Sequence, residues 1–184
     1  MKVLMINGSP VKDGCIHTAI AIAAEEFAAA GIEFEEVQVG NKAIRGCIAC
    51  NRCKETGRCV FDDLVNECVP KFAEADGIIV GSPVYFGNPN GTVLSFMQRL
   101  LYSSNLDLRM KVGACVVSAR RGGNSATYEA LNQLFGPAGM PTAPSTYWND
   151  VHGKTAEDVY ADKEGVQTVR NMAFMMRASE ANQP

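Results

Sequence analysis

Residues 77–82 read GIIVGS. The run is apolar from end to end and shows no polar alternation, so it predicts a strand buried on both faces. Two further runs have the same character, Lys2–Asn7 (KVLMIN) and Val112–Ser118 (VGACVVS). Segments of helical composition lie between them. Cys15–Ala30 is rich in Ala, Ile and Glu, and Gly31 follows where a helix C-cap belongs. Ile32–Val39 alternates in part and predicts a second strand. Asp62 and Asp63 are helix starters, and a helix is expected to run to Ala75 in spite of Pro70. Pro89 suits the first position of a helix that continues through Thr92–Ser103. Asn124 or Ser125 is expected to cap a helix ending near Gly136. Met140–Ser145 reads as a short last strand, and residues 155–178 as a terminal helix before a polar tail. Strands that alternate with helices, apolar in the centre, predict an α/β fold with a five-stranded, doubly wound parallel sheet.

The 184 residues suit one domain spanning 1–184, interrupted by a cysteine-rich loop at 45–61. With 17 basic against 20 acidic residues and no basic stripe, the chain is not expected to bind nucleic acid. No apolar run approaches the length of a membrane span, so no membrane insertion is expected. A strand begins at the N-terminus without a signal peptide, and the seven cysteines are odd in number. Both point to a reducing, cytoplasmic setting rather than a disulfide scaffold.

Residues 47–59 read CIACNRCKETGRC, four thiols spaced C-x2-C-x2-C-x5-C. Thiolates ligate iron–sulfur clusters and zinc, and they are the reactive form in thiol chemistry. Gaps of two residues wrap the chain around one centre, which suits a cubane cluster. The last gap is longer than in bacterial ferredoxins, and Val60 rather than proline follows Cys59. Zinc sites come more often as two separated knuckles, and His17 and His152 are distant in sequence. On spacing alone an iron–sulfur cluster leads, with zinc and free thiols or disulfides as alternatives.

In an open α/β sheet, ligands bind beyond the carboxyl ends of the strands. Three loops at such ends are unusual. The first, from Gly8-Ser9-Pro10 to Cys15-Ile16-His17-Thr18, has neither a dinucleotide fingerprint nor a P-loop. It sets hydroxyls beside the free N–H groups of a helix start, which favour a phosphate. The second, Ser82-Pro83-Val84-Tyr85-Phe86-Gly87-Asn88, offers an aromatic pair that can flank a flat ring. The third, Ser118-Ala119-Arg120-Arg121-Gly122-Gly123, offers glycine backbone and two cations. Taken singly, each reads equally well as an ordinary turn or cap. Together they describe a site for flavin mononucleotide (FMN).

The segments VLMINGSP, SPVYFGNPNG and SARRGG resemble the NAD(P)H-dependent FMN reductase superfamily of flavodoxin-like proteins. The cysteine loop is similar to the compact motif of the iron–sulfur flavoproteins within it. The resemblance covers residues 1–150 and implies strand order 2-1-3-4-5. By the same resemblance, Ser9, Cys15, Ile16, His17 and Thr18 would line the phosphate loop. Pro83, Val84, Tyr85, Phe86 and Gly87 would flank the flavin, and Ser118, Arg120, Gly122 and Gly123 its pyrimidine edge. Cys47, Cys50, Cys53 and Cys59 would hold a [4Fe–4S] cluster. Many relatives carry a hydroxyl or amide where this chain has Ile16, so backbone N–H groups or His17 are expected to compensate.

The implied activity is an FMN oxidoreductase with NAD(P)H as co-substrate, no obligatory catalytic side chain, and ping-pong turnover. The acceptor would be a quinone, flavin, iron or protein, and the protein a homodimer or homotetramer. The helix after Pro89 and the loop around Trp148 are the expected contacts. The rival readings are a non-enzymatic flavin/iron–sulfur electron carrier and a zinc or thiol-sensing module. Cys68 and Cys115 read as core, as do Met172, Met175 and Met176.

Overall fold

The computed structural model describes residues 1–181, and the last three positions, part of the expected polar tail, lie outside them. The sheet is built from β1 (Lys2–Asn7), β2 (Glu33–Gln38), β3 (Gly77–Tyr85), β5 (Val112–Ala119) and β6 (Asp150–His152). These five run parallel in the order β2-β1-β3-β5-β6. The two-residue strand β4 (Asn88–Pro89) turns back antiparallel on β3. With that hairpin set aside, the order is the doubly wound, flavodoxin-like one.

Side chains on β1 alternate between the two faces, as a pleat requires. Leu4 and Ile6 join one core with Phe72 and Phe96, from α3 (Leu64–Glu74) and α4 (Gly91–Ser103). The same core takes Leu131 from α5 (Asn124–Asn132). Val3 and Met5 join the other, with Ile20 and Phe27 of α1 (Cys15–Ala29) and Met172 and Met176 of α7 (Lys163–Ala181). Met172 and Met176 are therefore core, as the sequence suggests. Strand β2 is the edge, and its EFEEVQ sequence leaves only Val37 buried. Charge along an edge discourages pairing with another chain.

The sequence reading is corrected in four places. Pro89 is not the first residue of a helix but part of the hairpin, and Asn90 caps α4 by accepting from Thr92 N–H at 2.9 Å. Met140–Ser145 is not the last strand. Pro141 and Pro144 cannot donate to a ladder. Only a single bridge, Gly113 to Thr142, forms there. The fifth position is completed by Asp150–His152, drawn from YWNDVHG. The terminal helix is two helices, α6 (Ala156–Ala161) and α7. They break at Asp162, whose carboxylate leaves the helical pattern to accept from Gly165 N–H and His152 N–H. Thr155 caps α6 in a full capping box with Asp158. Finally, α5 begins after Gly123 (φ 89°) with no side-chain cap. The Asn124 amide turns instead to Asp150 and His152.

Candidate functional site

The three strand-end loops meet at one rim, and Asn90 ties the first to the second. Its side-chain amide donates to the Gly8 carbonyl at 2.8 Å, while its backbone N–H donates to Ser82 Oγ at 2.9 Å. One buried residue thereby fixes the first loop against the second. Gly40, just past β2, presses on the same loop. A Cβ there would lie 2.2 Å from Gly8 O and 2.3 Å from Ser9 C. Gly123 closes the third side, where a Cβ would meet Gly87 Cα at 3.1 Å.

The start of α1 is open. Gly14 supplies no side-chain cap, and no acidic residue lies in the first turn. The Thr18 N–H is bonded to Gly14 O, leaving the preceding N–H groups facing the loop. Such an end attracts an anion. The side chains expected to help it are mostly engaged elsewhere. Thr18 Oγ1 donates to Gly14 O at 3.2 Å, and Ser9 Oγ accepts from Val11 N–H at 3.1 Å. Ile16 is buried in the core, so only its backbone faces the loop. Cys15 Sγ reaches Thr155 O at 3.4 Å. His17 Nδ1 lies 2.9 Å from Glu36, whose carboxylate also accepts from Asn7 Nδ2 at 2.7 Å. Backbone N–H groups, rather than a row of hydroxyls, are what this helix start leaves free for an anion.

At the second loop, Phe86 (φ 51°) and Gly87 (φ 74°) form the turn of the β3–β4 hairpin. Positive φ at both central residues matches the tight hairpin turn whose twist suits antiparallel strands. A phenylalanine there is strained, and its ring stands fully in solvent. Tyr85 is half-exposed beside it, so both aromatics stand at the rim rather than in the core. At the third loop, Ser118 is buried and pairs in register with Pro83. Arg120 is exposed, and a Cβ on Gly122 would meet open space.

The cysteine loop lies elsewhere, against the C-terminal half of α4. Cys47, Cys50, Cys53 and Cys59 line one small cavity together with Arg99, Tyr102 and Ser103. Ala49 (φ 54°) and Asn51 (φ 58°) flank Cys50 in left-handed conformations. That winding leaves Cys47, Cys50 and Cys53 lining the same cavity, and it costs strain that non-glycine residues seldom carry. The short helix α2 (Cys53–Thr56) then ends on Gly57, also left-handed. All four thiols are free, with Cys53 buried and Cys47 and Cys50 exposed. Among the described residues no three cysteines, histidines or carboxylates are disposed to hold a metal ion. The four residues instead line a cavity.

Two observations bear on what the cavity could hold. Ser103 Oγ is buried, lines the cavity and has no hydrogen-bond partner. A buried hydroxyl left unpaired costs about 1–3 kcal/mol, so a ligand there would relieve it. Arg99 is buried too, and donates to Cys59 Sγ through Nε at 3.3 Å and Nη2 at 3.2 Å. On its other side it forks onto Asp63 at 2.7 and 2.9 Å. Burial opposes its charge, but the Asp63 carboxylate and the Cys59 sulfur outweigh burial and raise its pKa. Asn66 brackets Cys59 from the backbone side, accepting from its N–H at 3.0 Å and donating to its carbonyl at 3.0 Å.

Sequence reasoning missed Gly40, Asn90 and Arg99. Only Arg99 left a trace, a cation on the same helical face as Phe96, Leu100 and Ser103. Cys68 and Cys115 play no part in the site. Burial pushes the Cys68 thiol up to about 11, and that of Cys115 higher still.

The family model for NADPH-dependent FMN reductase matches residues 1–155. An iron–sulfur flavoprotein of Methanocaldococcus jannaschii is 37% identical over 182 residues, covering 94% of this chain and 93% of its own. Another from Methanosarcina thermophila is 33% identical, covering 94% and 92%. Among solved structures, the chain resembles an NADH:FMN oxidoreductase in its apo form with a TM-score of 0.69 at 18% identity. That match covers 100% of this chain and 91% of the other. An archaeal flavodoxin superposes with a TM-score of 0.64 at 13% identity, covering 98% and 99%. The two structures speak to the fold, whereas the sequence matches run nearly end to end. The chain belongs to the NADPH-dependent FMN reductase family and, within it, to the iron–sulfur flavoproteins.

Proposed function

We propose that this protein binds FMN at the three-loop rim and a [4Fe–4S] cluster in the cysteine cavity. In this reading it takes electrons from NAD(P)H or a reduced carrier and passes them to a quinone, flavin, iron or protein acceptor. The observation that carries it is the convergence of three strand-end loops on an uncapped helix start, pinned by Asn90 and Gly40. When bound, FMN supplies two-electron hydride chemistry and a cluster supplies one-electron transfer. The chain's part is to bind and position. The N–H groups at the start of α1 hold the phosphate, Tyr85 and Phe86 stand at the ring's edge, and Ser118–Gly123 present backbone to it.

The test is anaerobic mixing of FMN-loaded protein with NADH or NADPH. Stoichiometric bleaching of the flavin by at least one nicotinamide is expected. No bleaching by either, together with rapid bleaching by a reduced iron–sulfur protein, would replace the enzyme with an electron carrier. That second reading is favoured by the exposure of Cys47 and Cys50, which opens the cluster site to a protein partner.

We expect a homodimer or homotetramer. An open apolar trough between α4 and the end of α5, lined by Leu101, Tyr102, Leu134 and Pro137, reaches Cys47. Trp148 is half-exposed and packs on Tyr128 at 5.5 Å between ring centroids. A second copy seated on α4 would cover the trough. Light scattering on FMN-loaded protein should give at least twice the chain mass, and a monomer mass would overturn this expectation. Among the described residues no helix is long and apolar enough to cross a membrane.

A further inference from the structure

Arg99 is the least expected residue in the molecule. It heads the set of large side chains that are fully buried, which otherwise consists of Phe, Leu, Met and Ile. Its guanidinium hydrogen-bonds in every direction. Nε and Nη2 donate to Cys59 Sγ, Nη1 and Nη2 to Asp63, Nη1 to Arg45 O at 3.2 Å and Nη2 to Phe61 O at 3.3 Å. The plane also lies over the Phe61 ring, 5.2 Å from its centroid.

Folding alone does not require this arrangement. A buried ion pair is often no better for stability than apolar residues of the same volume. Nor does the pair with Asp63 explain where the remaining donors point. Two of them converge on one sulfur, and that sulfur belongs to one of the four candidate ligands. Among the described residues no side chain donates to the other three sulfurs. The other donor to a cavity sulfur among the described residues is a backbone group, Ala49 N–H to Cys47 Sγ at 3.4 Å.

We propose that Arg99 is a positioning residue that sets the reduction potential of the cluster through Cys59. This rests on the cluster reading given above. Hydrogen bonds to a ligating sulfur draw electron density from it and stabilise the reduced form, which carries one more negative charge. The effect is large here because the donors are buried and cannot be replaced by water. Asp63 holds the fork in place and offsets much of its net charge. The influence therefore comes from the directed N–H groups more than from the positive charge. A lysine, a point charge without the fork, cannot reproduce it. The step concerned is uptake of one electron by the oxidised cluster from an external donor, with no bond made or broken and no proton moved. The result is a cluster more easily reduced by such a donor.

The test uses protein prepared and kept without oxygen, with FMN and cluster loaded. Arg99→Lys keeps the charge and loses the fork. Arg99→Gln combined with Asp63→Asn removes both charges, and Asn can still cap α3. Iron per chain, flavin potential and cluster potential are measured for each and for wild type. Both variants are expected to retain iron. At a fixed ambient potential, their ratio of reduced to oxidised cluster should fall about tenfold, ~59 mV for a one-electron couple. The flavin potential, read in the same sample, should stay put. Full iron with an unshifted cluster potential in both variants would overturn the proposal and leave the cluster reading intact. Loss of iron from both variants, with wild type loaded, would also overturn it, since Arg99 would then be a prop for the loop. Wild type without iron would remove the cluster reading itself, and the proposal with it.

Discussion

Replacing Gly40 by alanine is expected to abolish tight FMN binding while leaving the sheet in place. The residue needs no special backbone conformation, because its φ is not among the positive ones. What it needs is the absence of a side chain. An added Cβ would sit 2.2 Å from Gly8 O, 2.3 Å from Ser9 C and 2.4 Å from Gly8 C. All three are backbone atoms, so no rotamer change relieves the clash. The Gly8–Ser9 segment would have to move away from its partners, Asn90 Nδ2 and Gly81 O. That segment leads into the anion cradle, where a small displacement misaligns every donor at once. Overpacking of this kind costs about 1–3 kcal/mol of stability. Loss of two or more charge-assisted bonds to the phosphate should weaken FMN by roughly 2–4 kcal/mol, some 30- to 1,000-fold. Gly91→Ala, nearby but with open space at its Cβ, is the control and should keep both stability and affinity. Calorimetric titration with FMN decides the matter. Wild-type affinity and melting temperature in Gly40→Ala would show that the first loop is not the phosphate site.

Much of the fold was legible because the signals were local. The apolar runs KVLMIN, GIIVGS and VGACVVS are the three central strands, and both faces of each are covered. The thirteen residues from Cys47 to Cys59 stood out as one cluster, and the four cysteines do line one cavity. What was missed depends on partners far along the chain. Gly40 looks like any glycine after a strand until Gly8 is placed against it. Asn90 looks like part of a helix start until its amide is seen to reach across 82 positions to Gly8 O. Ser9 and Thr18 carry the right hydroxyls for a phosphate, yet local backbone takes both, as short polar side chains tend to do. The last strand was misplaced for a related reason. Met140–Ser145 has the apolar start of a strand, but its two prolines deny it a ladder. The polar-aromatic YWNDVHG wins that place because Val151 fills the core beneath β5.

Removing Cys50 is expected to empty the cysteine cavity of iron without unfolding the protein. Protein prepared anaerobically should hold about four iron and four sulfide per chain. In Cys50→Ala both should fall to less than about a quarter of that, since a cubane deprived of one thiolate in an exposed loop is readily lost. Cys50 is exposed, so its truncation leaves no core cavity, and stability should change by less than about 0.5 kcal/mol. Cys53 would be a poorer probe because it is buried, and its loss would mix ligand and packing effects. FMN content should be unaffected. The cavity lies at Arg99 and Ser103, roughly 12 Å or more along α4 from its start at the three-loop rim, at about 1.5 Å per residue. Arg52→Ala, an exposed change between two of the cysteines, should keep its iron and controls for disturbance of the loop. Oxygen exposure should mimic Cys50→Ala in the wild type, because Cys47 and Cys50 form the exposed side of the cavity and leave it open to oxidants. Near-zero iron and sulfide in both wild type and Cys50→Ala, under strict exclusion of oxygen, would mean that these thiols hold no cluster. The strained winding at Ala49 and Asn51 and the unpaired Ser103 hydroxyl would then need another occupant.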